Sequence, residues 1–323
     1  AVPRAVPRAR SPSGYRAGSR RLGRVTATFP LIPRRRVLGL PFGGLHSLRR
    51  GLGSDVAGSR PYQPGDDVDK IDWYASARLS LARGTEEFVV REHYAEEAPR
   101  VVVVCDRRPS MSVFGDGWPW LHKPEAIRQT ARVIGDSAVA ARGLLGYFDE
   151  GDGSAYWHPP RSTHVLGPID IERPFEASSG TLARGLGYLA RQRRDLPAGT
   201  FVFVLSDFLE QPSRDEWLQA LERRWEIVPV VIQDPTWERS FPDVAGAVVP
   251  FADPETGRVT LVRFTEAEAE ARRTANERRH AELLRTLRAL DMDPVVVSSH
   301  EWRDIVFSFL SWADQRMFTR GRA

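Results

Sequence analysis

The chain has 323 residues, of which 41% are hydrophobic and 27% charged, a composition typical of a globular protein with one large domain or two. Its single cysteine, Cys105, excludes an internal disulfide and a cysteine-based zinc cluster. No apolar run approaches the roughly 18–20 residues that span a bilayer, and no signal-peptide stretch follows the basic start. We therefore expect no transmembrane segment and a cytoplasmic location.

The positive charge is concentrated at the start of the chain. Residues 1–60 contain thirteen arginines and one acidic residue, Asp55, so they carry +12, and the rest of the chain must carry −8 to give the total of +4. Residues 1–36 lack apolar periodicity, which predicts a disordered basic tail. Two interpretations stay open for this tail: a solvated segment, or an electrostatic contact with an anionic surface such as nucleic acid, lipid or an acidic partner.

Residues 37–98 are rich in glycine and turn signals, which predicts an arm with short strands. Within this arm, residues 60–78 include Tyr62, Pro64-Gly65-Asp66-Asp67, Ile71-Asp72-Trp73 and Ala77-Arg78. This block resembles the signature of the family called domain of unknown function 58, and the likeness extends over about residues 37–318. Taken without the family, its alternating acidic and basic residues predict either local ion pairs or a site for a hard cation.

Residues 99–323 alternate strand and helix patterns. The apolar run Val101–Cys105 predicts a strand buried on both faces, as in the centre of a parallel sheet. We predict further strands at 144–148, 155–157, 200–205, 227–232 and 294–298, a hairpin at 247–251 and 258–264, and helices at 124–142, 180–194, 213–224, 265–290 and 301–318. The predicted fold is α/β, with a doubly wound, mostly parallel sheet after a Gly-rich, β-containing arm. The family resemblance implies that this domain is von Willebrand A-like, with a Rossmann-like topology.

The resemblance also implies a metal site. Von Willebrand A domains often hold Mg²⁺ with an Asp-x-Ser-x-Ser turn, a threonine and a second aspartate, which correspond here to Asp106, Ser110, Thr181 and Asp207. Arg108 stands where the pattern has its first serine, and a guanidinium cannot ligate a cation. The site is therefore expected to be degenerate. Either Arg108 turns inward and neutralises Asp106 and Asp207 without metal, or it turns outward and leaves a weak Mg²⁺ site.

Two tryptophans, Trp118 and Trp120, follow the Asp106 turn, and together with Arg108 they are candidate partner-binding residues. The competing interpretation is a loop folded back onto its own domain. Because relatives in the family look like companions of MoxR-type AAA+ ATPases, the expected function is a non-enzymatic adaptor in the assembly or maturation of other proteins. The alternative is a metal-dependent hydrolase or nucleotide-binding enzyme that uses Asp66–Asp72 together with the carboxyl edge of the sheet. The absence of a phosphate-binding loop and of metal-ligand histidine spacing disfavours this alternative.

Overall fold

The structure, a computed structural model, describes residues 27–34, 50–63, 68–85, 87–94, 98–113, 119–161, 172–254 and 256–320. Its strands are β1 (Arg50–Pro61), β2 (Val89–Tyr94), β3 (Arg100–Cys105), β4 (Leu144–Asp149), β5 (Tyr156–His158), β6 (Phe201–Ser206), β7 (Glu226–Ile232), β8 (Val248–Ala252), β9 (Val259–Arg263) and β10 (Val295–Val297). Its α-helices are α1 (Trp73–Arg83), α2 (Lys123–Ala140), α3 (Thr181–Arg191), α4 (Arg214–Leu221), α5 (Glu266–Ala289) and α6 (Trp302–Arg320).

The central sheet has six strands in the order β10-β7-β6-β3-β4-β5. Strands β10, β7, β6, β3 and β4 are parallel, and the edge strand β5 is antiparallel to β4. The chain begins this sheet in its middle at β3, winds outward to β5, and then returns to the other side of β3 with β6. The loops after β3 and β6 therefore leave the sheet in opposite directions, which opens a crevice at the carboxyl ends of these two strands.

Both faces of the sheet are buried. This burial explains why the sequence of β3 is a continuous apolar run. Val101 and Val103 face a core formed with α2 and α6. Val102 and Val104 face a second core formed with α3, α4 and α5. Because side chains alternate along a strand, both sets must be apolar when helices cover both faces. The prediction of a mixed α/β fold with a mostly parallel sheet is confirmed.

The helix starts follow local signals in the sequence. Capping boxes open two of the predicted helices, with Ser213 and Glu216 at the start of α4 and Thr265 and Glu268 at the start of α5. Strands β8 and β9 form the predicted hairpin between β7 and α5.

The arm contains a helix that the sequence analysis missed. Strands β1 and β2 pair antiparallel, as the prediction of short strands implied, but α1 lies between them along the chain. Asp72 caps α1 by accepting a hydrogen bond from the Ala75 N–H at 3.0 Å, and Gly84 ends it in the left-handed conformation. Trp73 and Leu81 of α1 are exposed, so the helix has no buried apolar stripe and gave no periodic signal.

The predicted disordered tail, residues 1–36, is wrong for residues 27–34. Phe29 and Leu31 are buried in the core on the α2 and α6 face, and the Phe29 ring stacks on Phe309 with ring centroids 4.5 Å apart. Both side chains join a core whose other members are distant in sequence, which composition alone cannot reveal. The other tail residues lie outside the described part of the chain.

Across the described residues, none of the helices has both the length and the apolar character needed to cross a membrane.

Candidate functional site

Two aspartates meet at the crevice between β3 and β6. Asp106 follows β3 directly and Asp207 follows β6, and both carboxylates are fully buried. The Asp106 N–H continues the sheet ladder by donating to the Leu205 carbonyl at 2.9 Å. The two carboxylates are thus held at the ends of neighbouring parallel strands, where open α/β sheets place their ligands.

Arg108 turns into this crevice and bridges both aspartates. Its Nη2 lies 2.6 Å from Asp106 Oδ2 and 3.2 Å from Asp207 Oδ1, and its Nε lies 3.1 Å from both Asp106 oxygens. Its own backbone N–H also donates to Asp106 Oδ1 at 3.0 Å. Of the two arrangements left open by the sequence, the structure therefore has the inward one. The guanidinium places its fixed charge and its fork of donors between the two carboxylates.

A second buried cation, Lys123, also pairs with carboxylates of the site. Its Nζ lies 3.0 Å from Asp207 Oδ2, 2.5 Å from Glu238 Oε1 and 3.0 Å from the Ser110 carbonyl oxygen. Lys123 is the first residue of α2, where the helix dipole disfavours a cation. Its position is explained by the carboxylates it reaches. Sequence reasoning missed Lys123 and Glu238, although a lysine at a helix start was a signal.

The pKa directions follow from this pairing. Burial raises the pKa of Asp207, but the Lys123 ammonium, the Leu209 N–H and Arg108 outweigh burial and leave that pKa lowered. Burial lowers the pKa of Lys123, yet Asp207 and Glu238 leave it raised. Burial dominates for Glu238, whose pKa is raised. The charged forms of Asp207 and Lys123 therefore stabilise one another inside the fold.

Further hydrogen bonds hold the two aspartates in place. Ser206 Oγ donates to Asp106 Oδ2 at 2.6 Å. Gln233 Nε2 donates to the Asp207 carbonyl at 2.6 Å, and Gln233 Oε1 lies 2.7 Å from His280 Nδ1. Phe208 has a φ of 50°, a backbone region that bulky residues rarely adopt. This turn lets the Leu209 N–H reach back to Asp207.

The predicted metal ligands do not all converge. Asp106 and Asp207 meet at Arg108, whereas the Thr181 hydroxyl donates to Glu150 Oε2 at 2.9 Å. Ser110 Oγ is buried without a hydrogen-bond partner in the described structure. Ser110 contributes its carbonyl oxygen to Lys123 instead.

This set of donors does not fit a divalent cation. Mg²⁺ needs a near-octahedral shell of oxygens, but the oxygens of Asp106 and Asp207 already bind two positively charged side chains. The guanidinium of Arg108 would also repel a cation placed beside it. Within the described ranges, no group of three or more His, Cys, Asp or Glu residues is arranged to hold a metal ion.

The remaining candidate residues lie elsewhere. Trp118 is outside the described residues. Trp120 is half-buried and packs edge-on against Trp237, with ring centroids 5.2 Å apart. Of the acidic block proposed for the alternative enzyme, Asp66 and Asp67 lie outside the described residues, and the carboxylate of Asp72 caps α1.

The fold and site define an α/β protein whose sheet crevice is closed by an ion-paired arginine. Residues 58–283 match the family model described as "Protein of unknown function DUF58", and the chain belongs to this family. Similar relatives are the uncharacterized protein Rv1480 of Mycobacterium tuberculosis and the uncharacterized protein Mb1516 of Mycobacterium bovis. Each is 26% identical over 285 residues, covering 83% of this chain and 82% of the relative.

Two solved structures are also similar to the chain. BatB from Bacteroides thetaiotaomicron has a TM-score of 0.37 at 14% identity, covering 70% of this chain and 100% of that one. An aerotolerance-related membrane protein from Bacteroides fragilis has a TM-score of 0.39 at 13% identity, covering 67% and 99%.

Proposed function

We propose that this protein is a non-enzymatic interaction module with a von Willebrand A-like domain that docks a partner protein at the carboxyl edge of its sheet. The observation that carries this proposal is the Arg108 guanidinium bridging Asp106 and Asp207, where such domains often hold a cation. The strand order supports it. Counted from β3 along the chain, the sheet strands run 3-2-1-4-5-6, and the crevice lies at the point where that order reverses.

The bridge stabilises a surface without an exchangeable ion. Arg108 ties the loop after β3 to the loop after β6, and its Nη1 also lies 3.0 Å from Glu210 Oε2. Charged hydrogen bonds of this kind are stronger than neutral ones when they are buried. The docking surface is therefore preorganised, and its shape does not depend on the metal concentration.

The rim of the crevice offers contacts to a partner. Leu209 is 42% exposed beside Glu210, and Arg184 of α3 is exposed while its Nη2 pairs with Glu150 at 2.9 Å. An exposed apolar side chain surrounded by charged groups matches the composition of a protein interface, which has an apolar centre and a polar rim. Arg108 and Trp120, with Trp118, remain candidate members of the same surface.

The proposed partner is a MoxR-type AAA+ ATPase, and the proposed role is that of an adaptor in the assembly or maturation of other proteins. The resemblance to the family supports this partner. The basic part of residues 1–36 outside the packed segment 27–34 adds a separate proposal, a contact with an anionic surface that weakens as salt increases.

Binding to the MoxR-type ATPase of the same organism, held in its ATP-bound state, tests the proposal. We expect Leu209→Lys to weaken binding by roughly tenfold or more, because a charge would replace the exposed apolar side chain that the partner contacts. Leu218→Lys is the matched control, since Leu218 is 41% exposed, lies on α4 and should leave binding unchanged. No binding by the wild-type chain, or equal binding by both variants, would contradict the docking edge.

A further inference from the structure

Glu210 covers the outer side of Arg108. Its Oε2 accepts a hydrogen bond from Arg108 Nη1 at 3.0 Å, and its Oε1 accepts from Ser179 Oγ at 2.6 Å and from the Gly180 N–H at 2.8 Å. The Glu210 side chain is 41% exposed, whereas that of Arg108 is only 10% exposed. The deepest charges of the site are therefore closed off from solvent by one accessible carboxylate.

Three donors from two different elements converge on this carboxylate. Arg108 comes from the turn after β3, while Ser179 and Gly180 precede α3, an 11-residue helix. Gly180 is the N-cap of α3 and offers no side chain to cap it, so the positive end of this helix faces Glu210. A buried guanidinium, a hydroxyl and a helix amide together form a receptor for an anion with two oxygens.

The surroundings of Glu210 favour its ionised form. The Ser179 hydrogen bond lowers the pKa of Glu210, burial opposes the shift, and the Gly180 N–H and Arg108 reinforce it, so the pKa is lowered. Beside the contact lies a cavity of about 180 Å³, lined by residues that include Arg108, Gly180, Glu210 and Glu216. A water molecule takes about 30 Å³, so the cavity has room for a further small polar group.

We infer that Arg108 Nη1, Ser179 Oγ and the Gly180 N–H form a carboxylate-binding site for an Asp or Glu side chain of the partner protein. In the free protein, Glu210 fills the site as an internal substitute for that side chain. The inference deepens the proposed function and rests on it for the identity of the partner. Nothing in the carboxylate chemistry itself requires the ATPase.

Exchange of one carboxylate for the other is electrostatically balanced. The incoming side chain brings the same charge that Glu210 withdraws, so Arg108, Asp106 and Asp207 keep their net charge. Glu210 is held by the fold within reach of all three donors, so its effective concentration exceeds that of any free carboxylate in solution. A free carboxylate will therefore displace it poorly, whereas a partner that also contacts the rim can replace it.

The test removes the internal carboxylate and supplies an external one. In Glu210→Ala, we expect sodium acetate to raise the melting temperature more than sodium chloride does at equal ionic strength, and to shift the NMR signals of the Gly180 amide and Arg108 Nε. Glu216→Ala is the matched control, because Glu216 lines the same cavity but bonds to Ser213. We expect no acetate-specific effect in that variant and little in the wild type. Adding Ser179→Ala to Glu210→Ala should weaken the response.

An acetate effect in Glu210→Ala no larger than in Glu216→Ala, or an unmoved Gly180 amide, would overturn the carboxylate site. This result is separate from the fate of the proposed function, since no ATPase is present in the experiment. Acetate rescue together with failure to bind the ATPase would support the site and contradict the adaptor partner. Because Glu210 is partly exposed, its removal should leave the fold intact.

Discussion

Arg108 and Lys123 place two positive charges inside the carboxyl edge of the sheet, between carboxylates that are themselves buried. A buried ion pair gains little over an apolar pair of the same shape, but losing one partner leaves an uncompensated charge and costs about 3–5 kcal/mol. The site is therefore sensitive to the charge state of each carboxylate. The ion pairs therefore fix the geometry of the site more than they add to the stability of the fold.

The lowered pKa of Asp207 makes its contribution to stability depend on pH. That contribution is present above the ordinary Asp value of 3.8 and is lost as the pH falls through the lower folded value. Glu238 has a raised pKa and acts oppositely, since the folded state then takes up its proton first and gains stability as the pH falls towards 4.5. Asp207 and Glu210 are the two carboxylates of the site whose pKa values are lowered. They should therefore set the lowest pH at which the protein stays folded.

We predict that Asp207→Asn lowers the free energy of unfolding at neutral pH by about 3–5 kcal/mol, because Lys123 and Arg108 each lose a charged partner. Its stability should also fall less than that of the wild type when the pH drops below 4. Urea unfolding at a series of pH values measures both effects, with the exposed Asp243→Asn as control. Wild-type stability in Asp207→Asn at neutral pH would contradict the ion-paired site.

Single residues of the site could be predicted only where the chain itself signals them. Asp106 follows an apolar strand, whereas Asp207 and the departure at Arg108 were identified through the resemblance to a known pattern. Lys123 and Glu238 are 115 residues apart, and Lys123 and Asp207 are 84 apart. The unusual place of Lys123 at a helix start does not say which carboxylates it contacts, and Glu238 has no local motif. Only the fold brings them together.

At the scale of elements, helix α3 packs on the sheet and holds Ser179 and Gly180 of the carboxylate-binding site at its N-terminal end. A Cβ added at Gly185 would lie 2.7 Å from Phe148 Cε1 of β4, so α3 packs on the sheet at a distance that only glycine permits. Gly187, two residues later on the same helix, has nothing within 4 Å of such a Cβ. These two glycines differ only in their surroundings.

We predict opposite effects for alanine at the two positions. Gly185→Ala should destabilise the protein by about 1–3 kcal/mol, because either Phe148 or the helix must move. Gly187→Ala should stabilise it by about 0.5–1 kcal/mol, because alanine favours the helix and meets no neighbour. Chemical unfolding of both variants measures the difference. Equal effects would mean that α3 does not pack closely on Phe148.

Elements were predictable where local chemistry and burial agree. The capping boxes and the two-sided strands met both conditions, and their positions in the structure differ from the prediction by only a few residues. Helix α1 met only the first, with Asp72 and Gly84 as its caps and Trp73 exposed. The exposed apolar residues of α1 obscured its period, so the sequence predicted only short strands for this arm.

At the scale of the whole molecule, residues 27–34 close one face of the core. Phe29 stacks on Phe309, and its N–H donates to Ser137 Oγ at 3.1 Å. Arg34 pairs with Asp291 and Asp293 next to the last strand. This early segment therefore packs against α2 and α6, which are distant in sequence. Such contacts depend on the finished fold and could not be predicted from composition.

We predict that Phe29→Ala lowers the free energy of unfolding by about 3–5 kcal/mol, since it leaves a cavity between α6 and the sheet. Pro30→Ala, at the neighbouring exposed position, should change stability little. Thermal or urea unfolding compares the two. Equal stability of Phe29→Ala and the wild type would show that the segment does not belong to the core in solution.

The central claim is that the Arg108 guanidinium takes the place of a metal ion. Calorimetric titration with Mg²⁺ tests this claim most directly. The account predicts no binding by the wild type at millimolar Mg²⁺. It predicts binding by Arg108→Ser, which restores the Asp-x-Ser-x-Ser turn around Asp106 and Ser110 and removes the charge that bridges Asp106 and Asp207. Binding of Mg²⁺ by the wild type that is abolished by Asp106→Ala, with no gain from Arg108→Ser, would contradict the account.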